Sequence, residues 1–67
     1  MVKTIRVNGC EYAVQSKTVL ALFDELKVDF NRKAVEVNGT ILEPAAYATT
    51  ALHAHDQIEI IQFVGGG

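Results

Sequence analysis

The sequence has no tryptophan, one proline and one cysteine, and no apolar run near the ~20 residues needed to span a bilayer. One cysteine cannot close an internal disulfide, so a chain of 67 residues must hold its fold by packing alone. A solitary thiol, Cys10, fits a reducing compartment, and Met1-Val2-Lys3-Thr4 has no apolar signal core, so the expected setting is the cytoplasm, with no membrane partner. Positive charge is also scarce: 6 Lys and Arg stand against 8 Asp and Glu, for a net charge of −2. Lys3, Arg6, Lys17, Lys27, Arg32 and Lys33 are scattered apart from the last pair, and no aromatic residues interleave them. Both facts argue against a nucleic-acid partner, which calls for clustered cations and stacking platforms. No G-x-x-x-x-G-K-S/T or G-x-G-x-x-G loop is present to cradle phosphates, and no serine or cysteine sits in a nucleophile signature. Nucleotide chemistry, if it involves this chain, belongs to another protein.

What is present is regular. Residues 4–7 alternate polar and apolar, with Ile5 and Val7 on one face of a half-buried strand. Asn8-Gly9 is a hairpin signal, because both residues tolerate the positive φ of a type I′ turn. A return strand over residues 10–15 places Cys10, Tyr12 and Val14 together, and residues 15–17 form a polar break. Thr18 can cap a helix in which Val19, Leu22, Phe23 and Leu26 recur at i, i+3, i+4 and i+7, ending near Lys27 or Val28. Asp24 and Glu25 fall on its solvent side. After a connection over residues 28–32, Val35 and Val37 alternate with Glu36 and Asn38 in a third strand, and Asn38-Gly39 marks a second turn. Ile41 and Leu42 make a short fourth strand that Pro44 ends. Residues 44–52 suggest a helical turn or loop anchored by Tyr47 and Leu52, residues 53–56 a polar turn, and residues 57–64 the last strand.

Hairpin, helix, strand, short strand, loop and strand in that order describe an α+β domain of the β-grasp, ubiquitin-like kind. A mixed sheet of four to five strands is covered by one main helix, with the first and last strands parallel at its centre. The last strand is apolar on both faces, with Ile58 and Ile60 on one and Ile61 and Phe63 on the other. A sheet covered on one side only should leave the second set as an exposed patch. The expected organisation is a body over residues 1–64 and a flexible glycine tail over residues 65–67.

Most polar residues have bland roles open to them. His53 and His55 could share a strand face, but two histidines make an incomplete zinc site, so no metal is expected and a solvated loop is the simpler reading. Cys10 is expected to pack as a small hydrophobe rather than react. The tail is different. Gly65, Gly66 and Gly67 have no Cβ to restrict φ or collide with a channel wall. Fully extended at ~3.3–3.6 Å per residue, they reach roughly 10 Å beyond the body. A frayed end would look the same, but a slender arm ending in a carboxylate suits a chain whose terminus enters another protein's active site. That carboxylate, with pKa ~3.3–3.7, is ionised and inert at neutral pH and must be activated, for example as an acyl-adenylate, before it can accept sulfur or an amine.

Over nearly its whole length the chain resembles the ThiS family of small sulfur carriers in thiamin biosynthesis. The strongest part is the ending, Asp56-Gln57-Ile58-Glu59-Ile60-Ile61-Gln62-Phe63-Val64-Gly65-Gly66-Gly67, supported by Val7-Asn8-Gly9, Thr18-Val19-Leu20 and Val35-Glu36-Val37-Asn38-Gly39-Thr40-Ile41. Two departures are visible. Many members have glycine where this chain has His55, and the family often has tryptophan where Tyr47 falls, with Pro44 about one position late. The resemblance implies a carrier that is not itself an enzyme and binds no cofactor. An E1-like adenylyltransferase would use ATP to adenylate Gly67, and sulfur from a cysteine desulfurase would displace AMP to leave a thiocarboxylate. Thiazole synthase would then take up that sulfur. Gly67 would carry the reacting carbon, Gly66 and Gly65 would supply slenderness, and Ile61, Phe63 and Val64 would dock the partners. A small subunit of molybdopterin synthase and a ubiquitin-like protein modifier share this plan and stand as alternatives, as does an interaction module without tail chemistry.

Overall fold

The computed structural model describes residues 2–31 and 33–62. Two antiparallel hairpins and a returning strand build one five-stranded sheet. β1 (Lys3–Val7) pairs with β2 (Cys10–Val14), and β3 (Lys33–Val37) pairs with β4 (Thr40–Leu42). β5 (Gln57–Gln62) lies between the hairpins, parallel to β1 and antiparallel to β3, giving the order β2-β1-β5-β3-β4. With helix α1 (Val19–Glu25) packed across it, this is the β-grasp architecture. At each hairpin the two central residues have positive φ, 51° and 82° at Asn8 and Gly9 and 53° and 86° at Asn38 and Gly39, as a type I′ turn requires.

The core lies between α1 and one face of the sheet. Val19, Leu22 and Phe23 from the helix meet Ile5, Val7, Val14, Val35 and Ile58 from the strands, with Tyr47 and Leu52 closing one side. Phe23 stacks on Phe30 at 5.0 Å, and the Tyr47 ring stands edge-on to Phe23 at 5.4 Å and to Phe30 at 5.5 Å, geometries that aromatic quadrupoles favour. Burial pushes the Tyr47 phenol above its ordinary pKa. The expected anchoring of residues 44–52 is thus observed: after a 3-10 turn at Pro44–Ala46, Tyr47 and Leu52 are both buried. The same segment completes the helix start. Thr18 accepts from Ala21 N–H through its side chain, while Val19 and Leu20 donate to the carbonyls of Thr50 and Tyr47.

Two expectations need correction. The helix stops at Glu25, about two residues early, because Lys27 takes φ of 58°. Lys27 N–H returns to Asp24 O and Val28 N–H to Phe23 O, the paired bonds of a Schellman ending with lysine where glycine is usual. Cys10, Tyr12 and Val14 share a face, but only Val14 is buried; β2 is an edge strand, and Cys10 and Tyr12 remain exposed. Cys10 therefore does not pack as a core hydrophobe. Glu25 is exposed, as expected, and in addition accepts hydrogen bonds from Gln15 and Ser16. Among the described residues no helix is long and apolar enough to cross a membrane.

Candidate functional site

Everything proposed for the tail depends on how β5 is held, since β5 is the element that leads to it. Its ladder with β1 is short, with only Arg6↔Gln57 and Val7↔Ile58 in register, because β1 turns away at Asn8. Asn8 then takes over the strand's role. Its backbone N–H donates to Ile58 O at 2.9 Å, and its side-chain Oδ1 accepts from Ile60 N–H at 2.8 Å. On the opposite edge Asn38 does the same work. Its N–H donates to Gln57 O at 2.7 Å, and its Oδ1 accepts from Gln57 N–H at 2.9 Å. Asn38 Nδ2 donates in turn to Asp56 Oδ1 at 3.0 Å, while Asp56 Oδ2 accepts from His53 N–H at 2.8 Å. Asp56 is buried, so these bonds satisfy a carboxylate that would otherwise be costly there. Both turn asparagines thus clamp the last strand as well as shaping their hairpins, a role that the turn signal alone did not disclose.

Strand alternation decides what β5 presents. Ile58 and Ile60 point toward the helix, and Gln57, Glu59 and Ile61 point away from it. Ile61 lies opposite Ala34 and is 45% exposed. On the same open face Glu36 stands opposite both Glu59 and Ile41, and Ile41 is 67% exposed. The exposed apolar surface expected from a two-sided β5 is therefore present at Ile61. Its companion Ile41 was missed, because Ile41-Leu42 read as one apolar pair. The period of two shows that only one of them can face the core, and Leu42 does. Phe63, Val64, Gly65, Gly66 and Gly67, and with them the boundary between residues 64 and 65, lie outside the described residues.

The remaining titratable candidates are held by the fold. Glu25 accepts from Ser16 Oγ, from Ser16 N–H at 3.0 Å and from Gln15 N–H at 3.1 Å, tying the end of α1 to the segment that leaves β2. The Ser16 hydroxyl bond is the largest influence and lowers the Glu25 pKa; desolvation comes next and opposes it, and the Gln15 and Ser16 N–H donors and the Lys3 charge then add to the lowering. His53 Nδ1 is 4.0 Å from Asp56 Oδ2, and His55 donates its backbone N–H to Thr4 O at 2.6 Å. Among the described residues no three His, Cys, Asp or Glu side chains converge as a metal set would. His55 has φ of 69°, a left-handed conformation that glycine would adopt without strain.

A sequence model of the ThiS family matches residues 5–67. The thiazole synthase of Paramagnetospirillum magneticum is 46% identical over 62 residues, covering 91% of this chain and 19% of that protein, so the chain spans about a fifth of that relative's length. The uncharacterized protein ycf40 of Porphyra purpurea is 32% identical over 65 residues, covering 96% of this chain and 92% of its own length. The crystal structure of a thiamine biosynthesis protein (ThiS) from Geobacter metallireducens has a TM-score of 0.82 at 34% identity, covering 96% of this chain and 99% of that one.

Proposed function

The chain belongs to the ThiS family, and on that premise we propose that it is a sulfur carrier of thiamin biosynthesis whose tail is a co-substrate of partner enzymes. The observation that carries this reading is the reach of the family match, which runs through Gly67 and so takes in the whole glycine tail. The Gly67 carboxylate attacks the α-phosphorus of ATP held by an E1-like adenylyltransferase, releasing pyrophosphate and leaving an acyl-adenylate. Persulfide sulfur from a cysteine desulfurase displaces AMP to give an acyl disulfide. A thiol cleaves that disulfide reductively to free the thiocarboxylate, and the thiocarboxylate passes its sulfur to thiazole synthase. The chain binds no cofactor of its own in this scheme, because activation occurs in the partner.

The body's contribution is to hold the tail and be recognised. Asn8, Asn38 and Asp56 fix β5 on both edges, so that force on the tail meets an anchored strand. Ile61, with Phe63 and Val64 beyond it in sequence, docks the partners. Residues 65–67 are all glycine and so have no Cβ to collide with a channel wall. The similarity to a thiazole synthase that contains a segment like this chain supports that enzyme as the acceptor.

Intact-protein mass spectrometry tests the chemistry. The full chain, incubated with an E1-like adenylating enzyme, ATP and sulfide, should exchange one carboxylate oxygen for sulfur, and a chain lacking Gly67 should not. An unchanged mass, with the enzyme active on its own carrier, would overturn the carrier reading. Covalent conjugates to lysines in extract would favour a ubiquitin-like modifier instead.

A further inference from the structure

The open face of the sheet contains a charge arrangement that folding does not explain. Glu36 on β3 and Glu59 on β5 are directly opposite in an antiparallel register, a placement of like charges that costs the sheet stability. Among the described residues neither is in an ion pair; Arg6, on the same face, reaches Glu11 at 3.5 Å instead. The two acids are bordered by apolar side chains that the helix does not cover, with Ile41 opposite Glu36 on one side and Ala34 and Ile61 one step along the ladder. A repelling pair set among exposed isoleucines is poor chemistry for water and good chemistry for a cationic surface with an apolar centre.

Resting on the carrier reading above, we propose that Ile41, Ala34 and Ile61 dock an apolar knob on thiazole synthase, with partner arginine or lysine side chains set against Glu36 and Glu59. Charge disfavours a second copy of this chain as the occupant. A two-fold axis through the patch would set the same acids against themselves, in a chain already at net −2. A basic partner relieves the repulsion on binding, so these glutamates oppose the free fold and favour the complex. That opposite sign distinguishes a docking role from a structural one.

The test compares the full chain with E36Q/E59Q, using calorimetry against thiazole synthase at low and raised salt and thermal unfolding of each free chain. Removing the like-charge pair should raise Tm by about 2 °C. It should also weaken binding about tenfold at low salt and flatten the salt dependence, since screened rim charges are what salt acts on. Ile41→Ser, which leaves the charges in place, should weaken binding without changing its salt slope. Equal affinity of the wild type and E36Q/E59Q for thiazole synthase overturns this inference and leaves the carrier reading standing. If the wild type does not bind thiazole synthase at all, this inference falls together with that partner assignment. Thiocarboxylate formation by the adenylating enzyme still decides the carrier reading separately.

Discussion

The two faces of this sheet are built from the same five strands, yet they obey different rules. On the helix side Ile5, Val7, Val35 and Ile58 are closed over by Leu22 and Phe23, and nearly every apolar atom has a neighbour. On the other side Ile41 and Ile61 are left uncovered beside two acids in direct opposition. The first face is explained by the free energy of folding. The second lowers stability or leaves it unchanged, so it must be explained by what the face meets. In a chain of this size, with a core worth only ~3–5 kcal/mol net, stability lost for recognition is a sizeable fraction of the whole.

That contrast can be broken most severely from the covered side. Phe23→Ala removes the ring shared by Phe30 and Tyr47 and should cost about 3–5 kcal/mol, enough to unfold most of the population in a urea titration. Asp56→Ala should cost about 1–3 kcal/mol, because Asn38 Nδ2 and His53 N–H lose their acceptor where β5 begins. If Asp56→Ala proves neutral, the clamp on β5 is not energetic. Lys27→Gly and His55→Gly should each stabilise by about 0.5–1 kcal/mol, since both residues have left-handed φ, and the gains should add because the sites share no partner. Glu25→Gln sharpens the picture by pH. Glu25 has its pKa lowered in the folded state by Ser16, so its stabilisation is present above the ordinary carboxylate range and is lost as pH falls through that range toward the folded pKa. The wild type should lose stability on acidification more steeply than Glu25→Gln, and parallel curves would show that the clamp is not a charged one.

The covered face was largely legible in the sequence, because its causes are local and periodic. The hairpin signals at Asn8-Gly9 and Asn38-Gly39, the i, i+3, i+4 stripe from Val19 and the alternation in β3 each specify their element without reference to the rest. What could not be read depended on partners far along the chain. Asn8 reaches Ile60 and Asn38 reaches Gln57, bonds that exist only once β5 inserts between the hairpins. Glu25 reads as a solvent residue on a helical wheel until the Ser16 backbone lies beside it. The opposition of Glu36 and Glu59 is likewise a matter of register, which the alternation within each strand cannot supply. Ile61 was found from the two-sided pattern of β5, whereas Ile41 was hidden by its neighbour Leu42.

The division between a face that folds and a face that docks is tested most directly by Ile61→Asp in the full chain, with thermal unfolding and the initial rate of thiocarboxylate formation measured on the same preparation. Ile61 is already exposed, so the melting curve should move by no more than a few degrees while the rate falls at least tenfold. A variant that folds like the wild type and is thiolated at the full rate would contradict the account.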